Sequence, residues 1–136
     1  MFKLYSKGTE YALRAMASLD AGQKVFTARD VCRKARIPEP FTRKMLQSLA
    51  RDKVLKAVQG PGGGYQLNKP ASKIPLIDVI RSIDGKEHYD QCVMGLPQCR
   101  DDKACSLHDL WVSAKKNLIL EFKKRTVQDL ISGHIN

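Results

Sequence analysis

The chain has 136 residues, 43% of them hydrophobic, and its 24 Lys and Arg against 14 Asp and Glu leave a formal net charge of +10. That length suits one domain, or a small domain with an appendage, and the apolar fraction allows a packed core. No run of 18 apolar residues occurs, which excludes a spanning helix, and Met1-Phe-Lys-Leu-Tyr-Ser-Lys7 lacks the apolar core of a secretion signal, so a cytoplasmic protein with no membrane partner is expected.

The charge is unevenly spread. Residues 1–85 hold 16 Lys/Arg against 7 Asp/Glu, a net +9, whereas residues 86–136 hold 8 against 7, a net +1. The first part is therefore expected to meet a polyanion, with double-stranded DNA preferred to a membrane surface.

Ser6 to Leu19 reads as a helix, with Tyr11, Ala15, Met16 and Leu19 on one face at spacings of three and four. Thr27-Ala-Arg-Asp30 is a capping-box-like start to a short second helix whose inner face is Ala28, Val31, Cys32 and Ala35. Cys32 is expected there as a small core residue and not as a ligand. Ile37-Pro38-Glu39-Pro40 makes a tight turn, so the helices on either side have the order of a helix-turn-helix.

The helix from Pro40 to Asp52 is expected to bury Phe41, Met45 and Leu49. Its other face shows Arg43, Gln47 and Arg51 at i, i+4 and i+8, with Thr42 and Lys44 beside them. Arg, Gln and Thr suit base edges and phosphates in a major groove. Val54–Val58 and Tyr65–Leu67 read as two strands joined by Gln59-Gly-Pro-Gly-Gly-Gly64. The glycines resemble a phosphate-binding loop, but no helix follows and no Gly-Lys-Ser/Thr is present, so that reading is rejected. Three helices and a hairpin give a mainly α fold, a winged helix-turn-helix DNA-binding domain with a two-stranded wing over residues 1–85. Arg43 and Gln47 are expected to read bases, Lys44 and Lys56 to meet phosphates, and Gln59 to lie near the minor groove.

Pro75 to Ile83 reads as a further helix with Leu76, Ile77, Ile80 and Ile83 inward. Residues 86–105 form a cysteine-rich loop. From Ser106 to about Lys124 runs the longest helix, about 28 Å at 1.5 Å per residue. Leu107, Trp111, Ala114, Leu118 and Phe122 form a heptad-like stripe on it, expected to pack against a partner helix. A long C-terminal dimerisation helix, followed by a short helix opened by Thr126-Val-Gln-Asp129, therefore makes up residues 106–136 of a homodimer.

Cys92, Cys99, Cys105 and His108 gather soft sulfur and nitrogen donors within seventeen residues. In a reducing compartment such clusters more often bind metal or sense redox state than form structural disulfides. The spacing suits zinc or an iron–sulfur cluster and does not decide between them. No arrangement of catalytic groups stands at informative spacing, so an enzyme is not expected. The rivals are the same DNA-binding regulator with zinc or redox-active thiols in the loop, and a small iron–sulfur carrier protein, which would leave the basic half without a task.

Ser6-Lys-Gly8 with Tyr11-Ala-Leu13, Gly60-Pro-Gly-Gly-Gly-Tyr65, and the set Cys92, Cys99, Cys105 and His108 together resemble the Rrf-type bacterial transcriptional regulators over almost the whole chain. The resemblance implies a homodimeric winged-helix factor on a palindromic operator, with DNA affinity modulated by a cluster held before the long helix. IscR-like members hold a 2Fe–2S cluster with three cysteines and a histidine, which His108 matches. NsrR-like members hold a 4Fe–4S cluster with three cysteines and an acidic residue of the partner's first helix, for which Glu10 is the match. The resemblance favours 2Fe–2S with His108 and keeps 4Fe–4S with Glu10 as the alternative. IscR-type recognition helices carry a glutamate where this chain has Arg43, so its operator preference is expected to differ.

Overall fold

The computed structural model describes residues 4–19, 25–86, 88–90 and 107–133. The elements run α1 (Lys7–Ala17), α2 (Ala28–Ala35), α3 (Glu39–Arg51), β1 (Leu55–Val58), β2 (Gly64–Leu67), α4 (Leu76–Asp84), α5 (His108–Lys124) and α6 (Val127–Ser132). This is the expected mainly helical winged helix-turn-helix with a two-stranded antiparallel wing.

α1 and α2 start where the sequence supplies a partner for their orphan amides, whereas α3, α4 and α5 have no side-chain cap. Ser6 Oγ accepts from Thr9 N at 3.2 Å and caps α1. Thr27 and Asp30 form the expected capping box: each side chain accepts from the other's backbone N–H at 3.1 Å. The hydrogen bond from the Thr27 backbone N–H, and then one from the Thr27 side chain, hold the Asp30 carboxyl below the usual carboxylate range. At its other end α2 stops on Arg36, whose φ of 56° is left-handed. The Arg14 guanidinium of α1 donates to the Ala35 carbonyl at 2.7 Å and the Arg36 carbonyl at 3.2 Å, satisfying acceptors that the helix end leaves free. Sequence periodicity shows the apolar face of α1 but not this second use of the helix.

The main core joins Ala12, Ala15, Met16 and Leu19 of the first helix region to Val31, Met45, Leu46, Leu49, Leu55 and Val79, all buried. Tyr11, expected on the inner face of α1, lies on its flank and meets Phe41 edge-on at 5.3 Å between ring centroids. Gly8 is small for a packing reason. A Cβ there would stand 3.1 Å from Phe41 and 3.2 Å from Ile83, where α3 and α4 converge on the start of α1.

The wing pairs Leu55 with Leu67 and Val58 with Gly64. It is tied to the helix-turn-helix by Phe26, just before α2, which exchanges two 2.8 Å backbone hydrogen bonds with Tyr65. A Cβ on Gly64 would lie 2.3 Å from the Phe26 carbonyl oxygen. Gly64→Ala must therefore push the wing off that anchor. It is expected to cost about 1–3 kcal/mol of stability, read as a fall in thermal midpoint; an unchanged midpoint would show that the wing moves freely on Phe26.

The C-terminal residues return to the first domain. Leu76 N donates to the Arg125 carbonyl and Val127 N to the Ile74 carbonyl, both at 2.9 Å, and Val127 is fully buried in the main core with Leu130 and Ile131 packed at its edge. A second cluster of Ile77, Ile80, Tyr89 and Trp111 joins α4 to α5, with Tyr5, Leu118, Ile119 and Phe122 packed against it. The apolar stripe of α5 is therefore divided. Trp111, Leu118 and Phe122 face the chain's own domain, whereas Leu107 is 42% and Leu110 68% exposed and Ala114 is open to solvent. Expecting the whole stripe to await a partner overlooked α4, whose Ile77 and Ile80 cover one side of it. Among the described residues no helix is long and apolar enough to cross a membrane.

Candidate nucleic-acid interface and metal-ligand positions

α3 lies with Thr42, Met45, Leu46 and Leu49 buried. Its free face carries Arg43, Lys44, Gln47 and Arg51, all exposed. Phe41, expected to be buried, is only half-buried, and Leu46 takes the inward place. Thr42 is also displaced from its expected role. Its side chain is fully buried and its hydroxyl donates to the Pro38 carbonyl at 2.7 Å, closing the first turn of a helix that has no side-chain cap. It stands at i, i+3 and i+4 from the inward-facing Met45 and Leu46, so it turns away from any ligand on the free face.

Two of the α3 guanidinium groups have local partners. Arg43 donates to Glu39 at 2.9 Å, one turn earlier, and Arg51 lies 3.4 Å from Asp52. Glu39 was not singled out as functional, although an acidic residue four positions before an arginine is a readable helix pair. Asp52 also accepts from the Ser82 hydroxyl at 2.7 Å, and this hydrogen bond is the first cause that holds its carboxyl below the usual range. An open groove of about 490 Å³ runs along α3 beside Ile83 of α4, floored by Phe41 and Met45 and rimmed by Lys44, Gln47 and Arg51.

The wing presents Lys56 on β1 and Gln59 at the start of the turn, both exposed. Gly60 and Gly62 there have φ of 86° and 74°, a region that costs glycine little, so the tip can turn tightly and bring the backbone close to a partner. Arg43, Lys44, Gln47, Lys56 and Gln59 are thus all available to a ligand, on the helix and the hairpin that the helix-turn-helix order pairs.

Of the expected metal-ligand set, Cys92, Cys99 and Cys105 lie outside the described residues. His108 is the first residue of α5 and is 8% exposed. The helix therefore begins two residues later than Ser106, where it was expected. Glu10 lies on α1 with its carboxylate 3.0 Å from Lys7 Nζ. Cys32 is half-buried with its Sγ 2.8 Å from the Ile37 carbonyl oxygen, as suits a small interior residue. Among the described residues no group of three or more His, Cys, Asp or Glu gathers at metal-binding distance.

Residues 5–133 match a family model described as an iron-dependent transcriptional regulator, Rrf2. An Aquifex aeolicus protein named as an HTH-type transcriptional regulator is 30% identical over 132 residues, which span 95% of this chain and 92% of that one. The HTH-type transcriptional regulator IscR of Photorhabdus laumondii is 31% identical over 133 residues, 96% of this chain and 80% of its own length. Among solved structures, the global cysteine regulator CymR of B. subtilis superposes with a TM-score of 0.77 at 22% identity, covering 97% of this chain and 98% of that one. The IscR of T. potens superposes with a TM-score of 0.72 at 20% identity, over 96% and 86% of the two chains. These two likenesses establish the fold, and the family match over nearly the whole length establishes membership: the chain belongs to the Rrf2 family of winged-helix transcriptional regulators.

Proposed function

We propose that this protein is an iron–sulfur-sensing regulator that binds a palindromic DNA operator as a homodimer, with its affinity set by the state of the cluster. The free face of α3 carries this reading. Its Arg43, Lys44 and Gln47 side chains are exposed on the second helix of a helix-turn-helix, beside a wing that offers Lys56 and Gln59. In a two-fold dimer these surfaces would meet successive major grooves about 34 Å apart or a multiple of it.

The donor set fits an iron–sulfur group chemically. Three soft thiolates and one imidazole are donors that iron–sulfur clusters take, and His108 is placed where the cysteine-bearing segment meets α5. Cys92, Cys99 and Cys105 would hold it, with His108 as the leading fourth ligand and Glu10 the alternative; 2Fe–2S is the preferred nuclearity. When bound, such a cluster supplies a centre sensitive to oxidation, loss or nitrosylation. The protein's own contacts can carry a change there to α3. His88 Nε2 lies 3.1 Å from the Leu4 carbonyl, Ser6 N donates to Asp84 at 3.0 Å, and the Ser6 hydroxyl donates to the same carboxylate. Tyr11 of α1 then meets Phe41 of α3 edge-on, 5.3 Å between ring centroids. A shift of the loop would thus move α1 and α4 together against the recognition helix, biasing two dimer geometries.

One alternative suits the same donors: the same DNA-binding protein with zinc or redox-active thiols at Cys92, Cys99 and Cys105. Anaerobic purification with iron and sulfide counts separates the two, because bound zinc in iron-replete protein would overturn the cluster. For the DNA surface, Arg43→Ala is expected to cost about 1–3 kcal/mol and relax one operator position. Lys56→Ala is expected to weaken all duplexes alike and flatten the salt dependence by about one unit. Titrations in which neither variant changes affinity or salt slope would remove α3 and the wing from the interface.

A further inference from the structure

Arg43 and Glu39 form an ion pair of 2.9 Å between Nη2 and Oε1, both side chains being largely in water. They occupy the first two turns of α3, the part of a recognition helix that meets base edges. The Glu39 carboxyl is held below its usual range, first by the hydrogen bond from Arg43, then by the Arg43 charge and further by that of Arg29. A carboxylate there is unfavourable for a polyanion, so its position on a helix that must approach phosphates needs a reason.

The chemistry of the pair supplies one. A guanidinium has five N–H donors, and the contact to Glu39 engages a single nitrogen, leaving others to make a bidentate pair with guanine O6 and N7. At the same time the adjacent carboxylate cancels most of the charge that Arg43 would bring to any phosphate, whatever the sequence.

We propose that Glu39 is a specificity-determining residue: by neutralising Arg43 in place, it converts that arginine from a general phosphate contact into a reader that is rewarded only by a base. The second carboxylate oxygen of Glu39 can in addition accept from a cytosine N4 amine in the same groove. Specificity is then gained by weakening wrong complexes as well as by strengthening the right one. The proposal rests on the assignment of α3 to the major groove, made above.

Glu39→Gln keeps the shape and an acceptor oxygen but removes the charge. The full-length variant should be titrated against two duplexes at several salt concentrations: one selected by the wild-type protein from a random library, and a scramble of the same composition. Binding to the scramble is expected to rise about fivefold, with its salt slope steeper by about one unit, so that the ratio between the two duplexes falls. In an Arg43→Ala background the substitution should raise binding to both duplexes alike, by relieving repulsion of phosphates, and leave the ratio between them unchanged, because the discrimination belongs to Arg43; a ratio that still falls there would overturn the proposal. If Glu39→Gln leaves both affinities and both slopes unchanged while Arg43→Ala weakens the selected duplex, the pair only stabilises the helix and the proposal fails. If Arg43→Ala is also silent, the placement of α3 on DNA fails first and takes the proposal with it.

Discussion

Replacing Cys92, Cys99 or Cys105 by Ala is expected to abolish the iron–sulfur cluster, leaving anaerobically purified protein colourless and without stoichiometric iron and sulfide. Each thiolate would be a direct ligand, and a cluster short of one ligand is not retained at ordinary concentrations. Folding should persist, because Ala12, Met16, Leu46, Leu49 and Val79 in one cluster and Ile77, Ile80 and Trp111 in the other hold the described elements together. The fourth ligand is decided by a pair of variants. His108 is buried, so His108→Ala removes packing together with a donor, and His108→Cys is the cleaner probe. It is expected to keep a cluster with a lowered reduction potential, since a thiolate adds negative charge where a neutral imidazole stood. Glu10→Ala should leave the absorption and the potential unchanged. Loss of the cluster in Glu10→Ala, with no change of potential in His108→Cys, would move the fourth position to Glu10 and make a 4Fe–4S group the better assignment.

Leu110→Asp is expected to give a monomer and to lower operator affinity by about 10²–10⁴-fold, the factor that bivalent engagement of two half-sites contributes. Leu110 is 68% exposed and its neighbour Leu107 is 42% exposed, with Ala114 one turn on, so an apolar edge of α5 faces water in the single chain. A second copy related by a two-fold axis would bury this edge against itself. The choice of site matters. Leu118, at the centre of the sequence stripe, packs against Ile77, Ile80 and Trp111 within the chain, so a charge there would damage the fold as well as any dimer. A charge at Leu110 tests association alone. Sedimentation of the wild-type chain as a monomer at micromolar concentration, or a Leu110→Asp variant that remains dimeric, would sink the idea.

Local signals in the chain were sufficient for most of the architecture. Thr27 with Asp30, Thr126 with Asp129, and the periodic apolar positions of α1, α3 and α4 each act through neighbours three or four residues away, and the structure places helices there. The wing was legible for the same reason: its glycines and its paired strands lie within fifteen residues of one another. The exposed Arg43, Lys44, Gln47 and Lys56 followed from helix and strand periodicity, and Gln59 from its place at the turn, whereas Cys92, Cys99 and Cys105 lie outside the described residues.

What sequence periodicity could not resolve involves partners far apart in the chain. A period of 3.6 shows that a helix has an apolar face but not what covers it, so the α5 stripe read as one surface until Ile77 and Ile80 of α4 were seen against half of it. Thr42 read as a DNA contact because threonine suits both a groove and a helix interior; only the packing of α3 on α1 and α2 turned it inward onto the Pro38 carbonyl. The smallness of Gly8, the clasp of Ser6 on Asp84 and the return of Val127 into the first core depend on contacts across more than thirty residues, which no local pattern encodes. Local sequence sets which segments are helices, which form the wing and which face of α3 is charged, because those depend on neighbours along the chain. Tertiary structure alone decided which apolar faces remain for a second copy, because burial is a property of the surfaces that meet and not of the segment that carries them.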